Sequence, residues 1–166
     1  VINYAGSSYA QCRGARDAGF ALTFGAGVGS PEPTDIRNTQ CLVLIGSHLG
    51  ENMHNTQVQE MAEAIGRGVP IIVVDPRHSV AASKAKYWLP VKPGTDMALL
   101  LAWMNLLVGE GRYDRDFVAK HGHGFDKFAA AIKGYTPEWA AEQCGVSAEV
   151  IRAAAREFAA HRPAAI

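Results

Sequence analysis

The residues CLVLIGSHLGENMHNTQVQEMAEAIGRGVPIIVVDPRHS (Cys41–Ser79), running on to KYWLPVKPGTD (Lys86–Asp96), decide the fold. Leu42–Ile45 and Ile71–Val74 are short apolar runs rich in β-branched residues, the composition of parallel strands covered on both faces. Between them Val58, Met61, Ala62 and Ile65 recur at i, i+3, i+4 and i+7. That spacing predicts one apolar helix face, and Gly66 and Gly68 are placed to end the helix. Strand, helix, strand is a βαβ unit, so the chain reads as α/β: a doubly wound, mostly parallel sheet flanked by helices, Rossmann-like. Ligands of such folds lie beyond the carboxyl ends of the strands. Three polar loops meet that condition: Gly46–Asn52, Asp75–Ser79 and Gly94–Asp96.

Working outward, Tyr87–Val91 is a third short strand, Pro93-Gly94 a turn, and Thr95–Val108 a helix apolar nearly all round and therefore buried. Further helices are predicted around Asp114–Lys120 and Phe125–Ile132. Thr136-Pro137-Glu138 starts another, with a cap, a first-turn proline and an acid against the dipole, and Gly145 stops it. Ser147 caps the next, whose apolar face is Val150 or Ile151, Ala154 and Phe158 and which Pro163 ends; Ala164–Ile166 opens another strand. Upstream, Val1–Tyr4 reads as a strand, Ala5–Gln11 as a turn, and Cys12 as the start of a helix through Phe24, loosened by Gly14 and Gly19. The glycines of GAGVGSPEP (Gly25–Pro33) are spaced G-x-G-x-G and followed by prolines rather than a helix, the wrong context for a phosphate cradle.

A chain of 166 residues buries one sizeable core. Sixteen basic residues balance sixteen acidic ones, leaving no electrostatic footprint for nucleic acid or an anionic membrane. The longest apolar run, Met97–Val108, is interrupted by Asn105 and too short to span a bilayer, so no direct membrane span is expected. Cys12, Cys41 and Cys144 are odd in number and far apart, against a disulfide framework or a CxxC metal site. No Met starts the chain and no signal peptide is visible, so it is read as a piece of something longer.

Several residues carry two readings each. Asp75 ends the second strand, where a doubly wound fold places the acid that accepts hydrogen bonds from a ribose; equally, Asp75-Pro76 ends a strand and caps the turn beyond it. GSHLGEN (Gly46–Asn52) lacks the three glycines of a dinucleotide fingerprint, although Ser47, His48, Glu51 and Asn52 offer polar contacts to a nucleotide. Asp96 is an anion or cap at a helix start, or a carboxylate accepting two parallel N–H bonds from guanine. Cys12, beside Arg13 and Arg16 at a helix start, is a thiolate suited to nucleophile or soft-metal chemistry, or a small core residue. Cys41 and Cys144 look like core. His121 and His123 are two apart among glycines and lack a third ligand, which favours a surface turn over a metal site.

Together these pieces resemble the molybdopterin oxidoreductase family, the dimethyl-sulfoxide-reductase superfamily. The resemblance rests on Cys12–Gly25, a Cys followed by a helix and a TFG turn; on LVLIGSHLGEN (Leu42–Asn52); and on VVDPRHSVAASKAKYWLPVKPGTDMALLLAW (Val73–Trp103), which carries D-P-R, W-L-P and P-G-T-D in order. GENMHNTQ (Gly50–Gln57), FVAKH (Phe117–His121) and TPEWA (Thr136–Ala140) are most similar to its polysulfide and thiosulfate reductase branch. The resemblance implies a molybdopterin guanine dinucleotide-binding domain over residues 1–166, with iron–sulfur and barrel domains elsewhere in the subunit. It implies a bis(molybdopterin guanine dinucleotide) cofactor with molybdenum ligated by Cys12. One dinucleotide is held by Gly46, Ser47, His48, Leu49 and Glu51, with a second loop at Asp75, Pro76 and Arg77 and a third at Gly94, Thr95 and Asp96 gripping the guanosine end. Two departures are that Ser8 stands where several relatives carry Asn, and Gln11 where some carry His.

The implied reaction is two-electron reduction of sulfur–sulfur bonds in polysulfide or thiosulfate during anaerobic respiration. A [4Fe-4S] cluster outside this chain, an iron–sulfur subunit and a membrane quinol-oxidising subunit would supply the electrons. Localisation is expected to be periplasmic or extracytoplasmic, membrane-associated through partners. Branches acting on tetrathionate, arsenate, nitrate or formate, and a non-redox nucleotide-binding module, are the alternatives.

Overall fold

The computed structural model describes residues 14–25, 34–47, 49–51 and 55–166. Cys12, His48 and Asn52, with the expected first strand and most of the Gly25–Pro33 loop, lie outside the described residues. The chain divides into two compact units, Val1–Thr34 and Asp35–Ile166. Of the first, helix α1 (Gly14–Phe24) is described; Gly25, at φ +95°, ends it with its N–H on the Ala21 carbonyl.

The second unit holds a four-stranded sheet in the order β3-β2-β1-β4, with β1 at Cys41–Ile45, β2 at Ile71–Val74, β3 at Tyr87–Leu89 and β4 at Ala164–Ala165. All three pairings are parallel: Leu42 lies opposite Ile71, Ile72 opposite Tyr87, and Cys41 opposite Ala164. The doubly wound α/β expectation and the short final strand are both found. The first crossover, α2 (Asn55–Gly66), and the short 3₁₀ turn Ala82–Lys84 lead outward from β1 to β3. The chain then returns through α3 (Asp96–Gly109), α4 (Arg115–His121), α5 (Phe125–Ala131), α6 (Pro137–Cys144) and α7 (Ala148–Ala160) to place β4 on the far side of β1. The strand order therefore reverses between β1 and β4, and the crevice at such a reversal is where open α/β sheets take ligands.

Alternation along β1 and β2 sorts side chains into two cores. Cys41, Val43, Ile72, Val74 and Leu89 face α3, α6 and α7, packing with Leu99, Ala102, Trp103, Ala140, Cys144 and Ile151. Leu42, Leu44, Ile71 and Val73 face the other way, onto Met61 and Ala64 of α2 and onto Ala81 and Ala82. Burial on both faces explains why the strands read as unbroken apolar runs.

Two expectations are corrected. The buried stripe of α2 is centred on Met61 and Ala64, while Ala62 is exposed and Ile65 is 37 % exposed. Ala62 lies about 100° around the helix from Met61, Ala64 only about 60° on the other side, and an alanine with no exposed surface lets the helix sit close on the sheet. Likewise α3 is buried on one side only: Ala98, Leu99, Ala102, Trp103 and Leu106 are covered, whereas Met97 is 67 % and Met104 39 % exposed. The sheet, α6 and α7 approach it from that one side.

The predicted punctuation is realised. Asp114, Thr136 and Ser147 accept from the N–H groups of Phe117, Trp139 and Val150, and Gly145 ends α6 at φ +78°.

Candidate functional site

Three parallel strands end side by side, and each is followed by one of the candidate loops. After β1, Gly46 turns at φ +57° with its N–H on the Val74 carbonyl at 2.9 Å, anchoring the first loop to the neighbouring strand. Ser47 is half-buried. The Leu49 side chain is buried with Met61 and Ala81, so its backbone is what it offers a ligand.

After β2, Asp75 is 6 % exposed, one of three buried polar residues among those described. Its Oδ1 accepts the Arg77 N–H at 2.8 Å, and its carbonyl accepts from Trp88 Nε1 at 2.9 Å. The local capping reading of Asp75 is thus real: the carboxylate closes a turn over Pro76. A carboxylate has two oxygens, so this bond does not by itself occupy the group. Ser79, buried, accepts from the Ala82 N–H at 3.2 Å, just ahead of the 3₁₀ turn. The His78 ring meets the edge of Trp88 with centroids 4.7 Å apart.

Beyond β3, Gly94 turns at φ +84°, and Thr95 donates its hydroxyl to the Lys92 carbonyl at 2.6 Å. This corrects the reading of Asp96 as a cap. Thr95 holds the cap position without a side-chain capping bond, and Asp96 is the first helical residue of α3, an anion against the helix dipole. A Cβ added at Gly46 or Gly94 would meet nothing within 4 Å, so glycine is needed there for its positive φ, and the backbone opens onto free space.

What the sequence did not announce is how the first two loops are joined. Glu51 Oε2 accepts from Arg77 Nη2 at 2.5 Å, and Oε1 accepts the Val80 N–H at 2.9 Å. A conventional signal for this contact does not exist, because the partners are 26 and 29 residues apart. Trp88 beneath Asp75 was legible only as part of the W-L-P pattern.

Other features lie away from these loops. The cleft lined by Tyr113, Arg115, Val118, Phe125 and Lys127 belongs to α4 and α5, near the far end of α3, which is about 20 Å long. There Asn105 donates to the Ile132 and Lys133 carbonyls. His121 and His123 are exposed, His121 against Phe117, and among the described residues no cluster of three metal-ligating side chains is present. Also among them, no helix is long and apolar enough to cross a membrane.

The opposite, amino-end edge of the sheet carries a charge network. Glu157 on α7 accepts from Lys86 Nζ at 2.8 Å and contacts His161 Nε2 at 3.1 Å. Burial alone would raise the Glu157 carboxyl, but the bonds and charges of Lys86 and, less strongly, His161 together outweigh it and hold the group below the usual range; Lys86 is correspondingly raised. Cys41, at the same edge, is pushed up to about 11, first by burial and then by the Glu157 charge. It stays a protonated core thiol, as expected of it.

A depressed carboxylate adds stability above its unfolded pKa and loses it as pH falls through the folded value; a raised lysine adds stability below its unfolded pKa and loses it as pH rises through the folded value. The α7–β3 contact is therefore expected to weaken below about pH 4.5 and above about pH 10.5. Glu157→Gln should flatten the acid limb of a stability–pH profile. An unchanged acid limb would assign it elsewhere, for instance to Glu110, lowered by its bonds from Arg156 and Arg112.

Comparison with known proteins bears on these loops. The chain matches the molybdopterin oxidoreductase family over residues 1–155. It is 40 % identical over 149 residues to the thiosulfate reductase molybdopterin-containing subunit PhsA of Salmonella typhimurium, covering 90 % of this chain and 20 % of that protein. To formate dehydrogenase H of Escherichia coli it is 35 % identical over 149 residues, covering 90 % and 21 %. The solved structure of acetylene hydratase from Pelobacter acetylenicus superposes with a TM-score of 0.87 at 33 % identity, over 98 % of this chain and 22 % of that one. The chain thus spans about one-fifth of the length of the relatives it matches.

Proposed function

The chain belongs to the molybdopterin oxidoreductase family, and from that premise we propose that it is the part of a molybdenum enzyme subunit that grips a bis(molybdopterin guanine dinucleotide) cofactor. The carrying observation is the alignment of three loops at the carboxyl ends of adjacent parallel strands, beside the reversal of strand order.

The donor and acceptor set fits the nucleotide end of such a cofactor. Asp75 supplies carboxylate oxygen for ribose hydroxyls, and Asp96 supplies it for the paired N–H donors of guanine. Arg77 brings a guanidinium suited to phosphate, and Gly46 and Gly94 open the backbone onto free space. The proposed loop set is Gly46, Ser47, His48, Leu49 and Glu51 with Asp75, Pro76 and Arg77 and with Gly94, Thr95 and Asp96. Cys12 is proposed as the protein ligand to molybdenum. When bound, the metal centre supplies two-electron redox chemistry. The residues here bind, orient and shield the nucleotide.

For the whole subunit we propose reduction of sulfur–sulfur bonds in thiosulfate or polysulfide. Thiosulfate with two electrons and one proton gives sulfite and hydrosulfide. The thiosulfate reductase relative supports this branch. The formate dehydrogenase relatives support formate oxidation as the second reading, and the acetylene hydratase relative, named for a hydration, shows that family membership alone does not choose the reaction. Electron supply through a [4Fe-4S] cluster, an iron–sulfur subunit and a membrane quinol-oxidising subunit, on the extracytoplasmic side, belongs to the same proposal.

Elemental analysis of the full-length subunit, purified anaerobically from a cofactor-making host, is the test. Stoichiometric molybdenum with thiosulfate-dependent dye oxidation and sulfite as product is the expected result. Formate-dependent dye reduction without sulfur activity would move the assignment to the formate branch. A folded, complete subunit without molybdenum would overturn the cofactor assignment.

A further inference from the structure

Resting on the reading of these loops as a cofactor rim, we propose that Glu51 is a positioning residue, a strut that fixes the β1 loop against the β2 loop so that the rim is shaped before the cofactor arrives. One carboxylate carries both connections: Oε2 to the Arg77 guanidinium at 2.5 Å and Oε1 to the Val80 N–H at 2.9 Å. The adjacent backbone shows the same close approach. Gly50 sits at φ +96°, and a Cβ there would stand 3.2 Å from Val80 Cγ1. Any larger residue at position 50 would press on the Val80 side chain as well as strain the turn.

The far side of the strut is itself anchored. Arg77 belongs to the turn closed by the Asp75 carboxylate, and Val80 lies between the buried Ser79, which accepts from the Ala82 N–H, and the buried Ala81. Glu51 therefore ties the first loop to the most firmly held part of the second. As a plain ion pair it would contribute little, since the Arg77 side chain is 53 % exposed. The charge-assisted bond to a backbone N–H is the more durable half, because it constrains main chain rather than two flexible side chains. A ligand that finds its loops unordered loses apparent affinity by the fraction of time they are competent. The strut thus acts on cofactor retention and leaves the chemistry to others.

The test uses the full-length subunit from a cofactor-making host. Glu51→Ala is expected to lower molybdenum per chain about tenfold, with total activity falling in step. Amide hydrogen exchange at Val80, which needs no cofactor, should accelerate about tenfold as its acceptor is lost. Glu51→Gln keeps a carbonyl for Val80 and loses the charge, so it should preserve Val80 protection and lose less molybdenum; it serves as the variant of choice should the alanine protein fail to fold. Unchanged Val80 exchange in Glu51→Ala overturns the strut, and so does molybdenum per chain at the wild-type level. A wild-type subunit without molybdenum overturns the cofactor reading instead, and Val80 exchange then decides the strut alone.

Discussion

Replacing Cys12 with alanine in the full-length subunit is expected to bring thiosulfate- or polysulfide-dependent turnover to background. The proposed role of Cys12 is that of a soft thiolate ligand to the metal, and alanine offers nothing in its place. Cys12→Ser separates binding from chemistry. A hard oxygen ligand should leave the nucleotide loops able to hold the cofactor while changing the reduction potential of the metal and the rate. The internal control is Cys41→Ala. Cys41 is buried at the start of β1, and its thiol stays protonated, pushed up to about 11 by burial and the Glu157 charge. Its loss should cost stability through a small cavity and spare turnover per folded chain. Wild-type turnover in Cys12→Ala would remove the metal-ligand assignment and leave the cofactor reading to rest on the loops and the family match.

How far the residues alone reached can be seen strand by strand. The runs at Leu42–Ile45 and Ile71–Val74 were legible because burial on both faces leaves no polar interruption. The caps at Asp114, Thr136 and Ser147 were legible because each acts within three residues of itself. The faces of α2 and α3 were misjudged where the deciding information is tertiary. In α2 the close contact belongs to Ala64 rather than Ala62, and hydrophobicity alone cannot tell the two alanines apart. In α3 nearly every residue is apolar, so periodicity carries no signal, and only the packing reveals that Met97 and Met104 stand outside.

The candidate loops divide in the same way. Strand ends and turn chemistry placed Gly46, Asp75 and Gly94, whereas the Glu51 bridge and the Trp88 bond to the Asp75 carbonyl join residues far apart in the chain. Asp75 shows that a local and a functional reading can coexist: one carboxylate oxygen caps the Arg77 N–H, and the strand end that makes the turn necessary is also where a nucleoside would lie.

The other large effect is expected at Leu99, where the core and the third loop are the same piece of structure. Leu99 has no exposed surface and packs with Val43, Ile72, Val74 and Leu89 of the sheet. Its N–H and that of Ala98 point to the Thr95 carbonyl at 3.4 and 3.0 Å, so Leu99 closes the first turn of α3, the turn that begins with Asp96. Leu99→Ala removes three carbons from a site that the sheet cannot collapse to fill, at a cost of about 2–5 kcal/mol. Leu99→Met keeps the volume and should cost less than about 1.5 kcal/mol.

Against a typical domain stability of about 5–15 kcal/mol, the alanine change takes a large share. The share lost locally should appear in the Gly94–Asp96 loop, which leans on the Thr95–Lys92 turn and the helix behind it. Hydrogen exchange over residues 96–103 of the full-length subunit is therefore expected to rise in the alanine variant and to stay near wild type in the methionine variant, with guanine nucleotide retention following the same order. Unchanged protection in Leu99→Ala would mean that Trp103 and Leu106, deeper in α3, hold its first turn in place without Leu99. Retention lost equally in both variants would mean that the loop depends on the shape of this side chain rather than on the volume it fills.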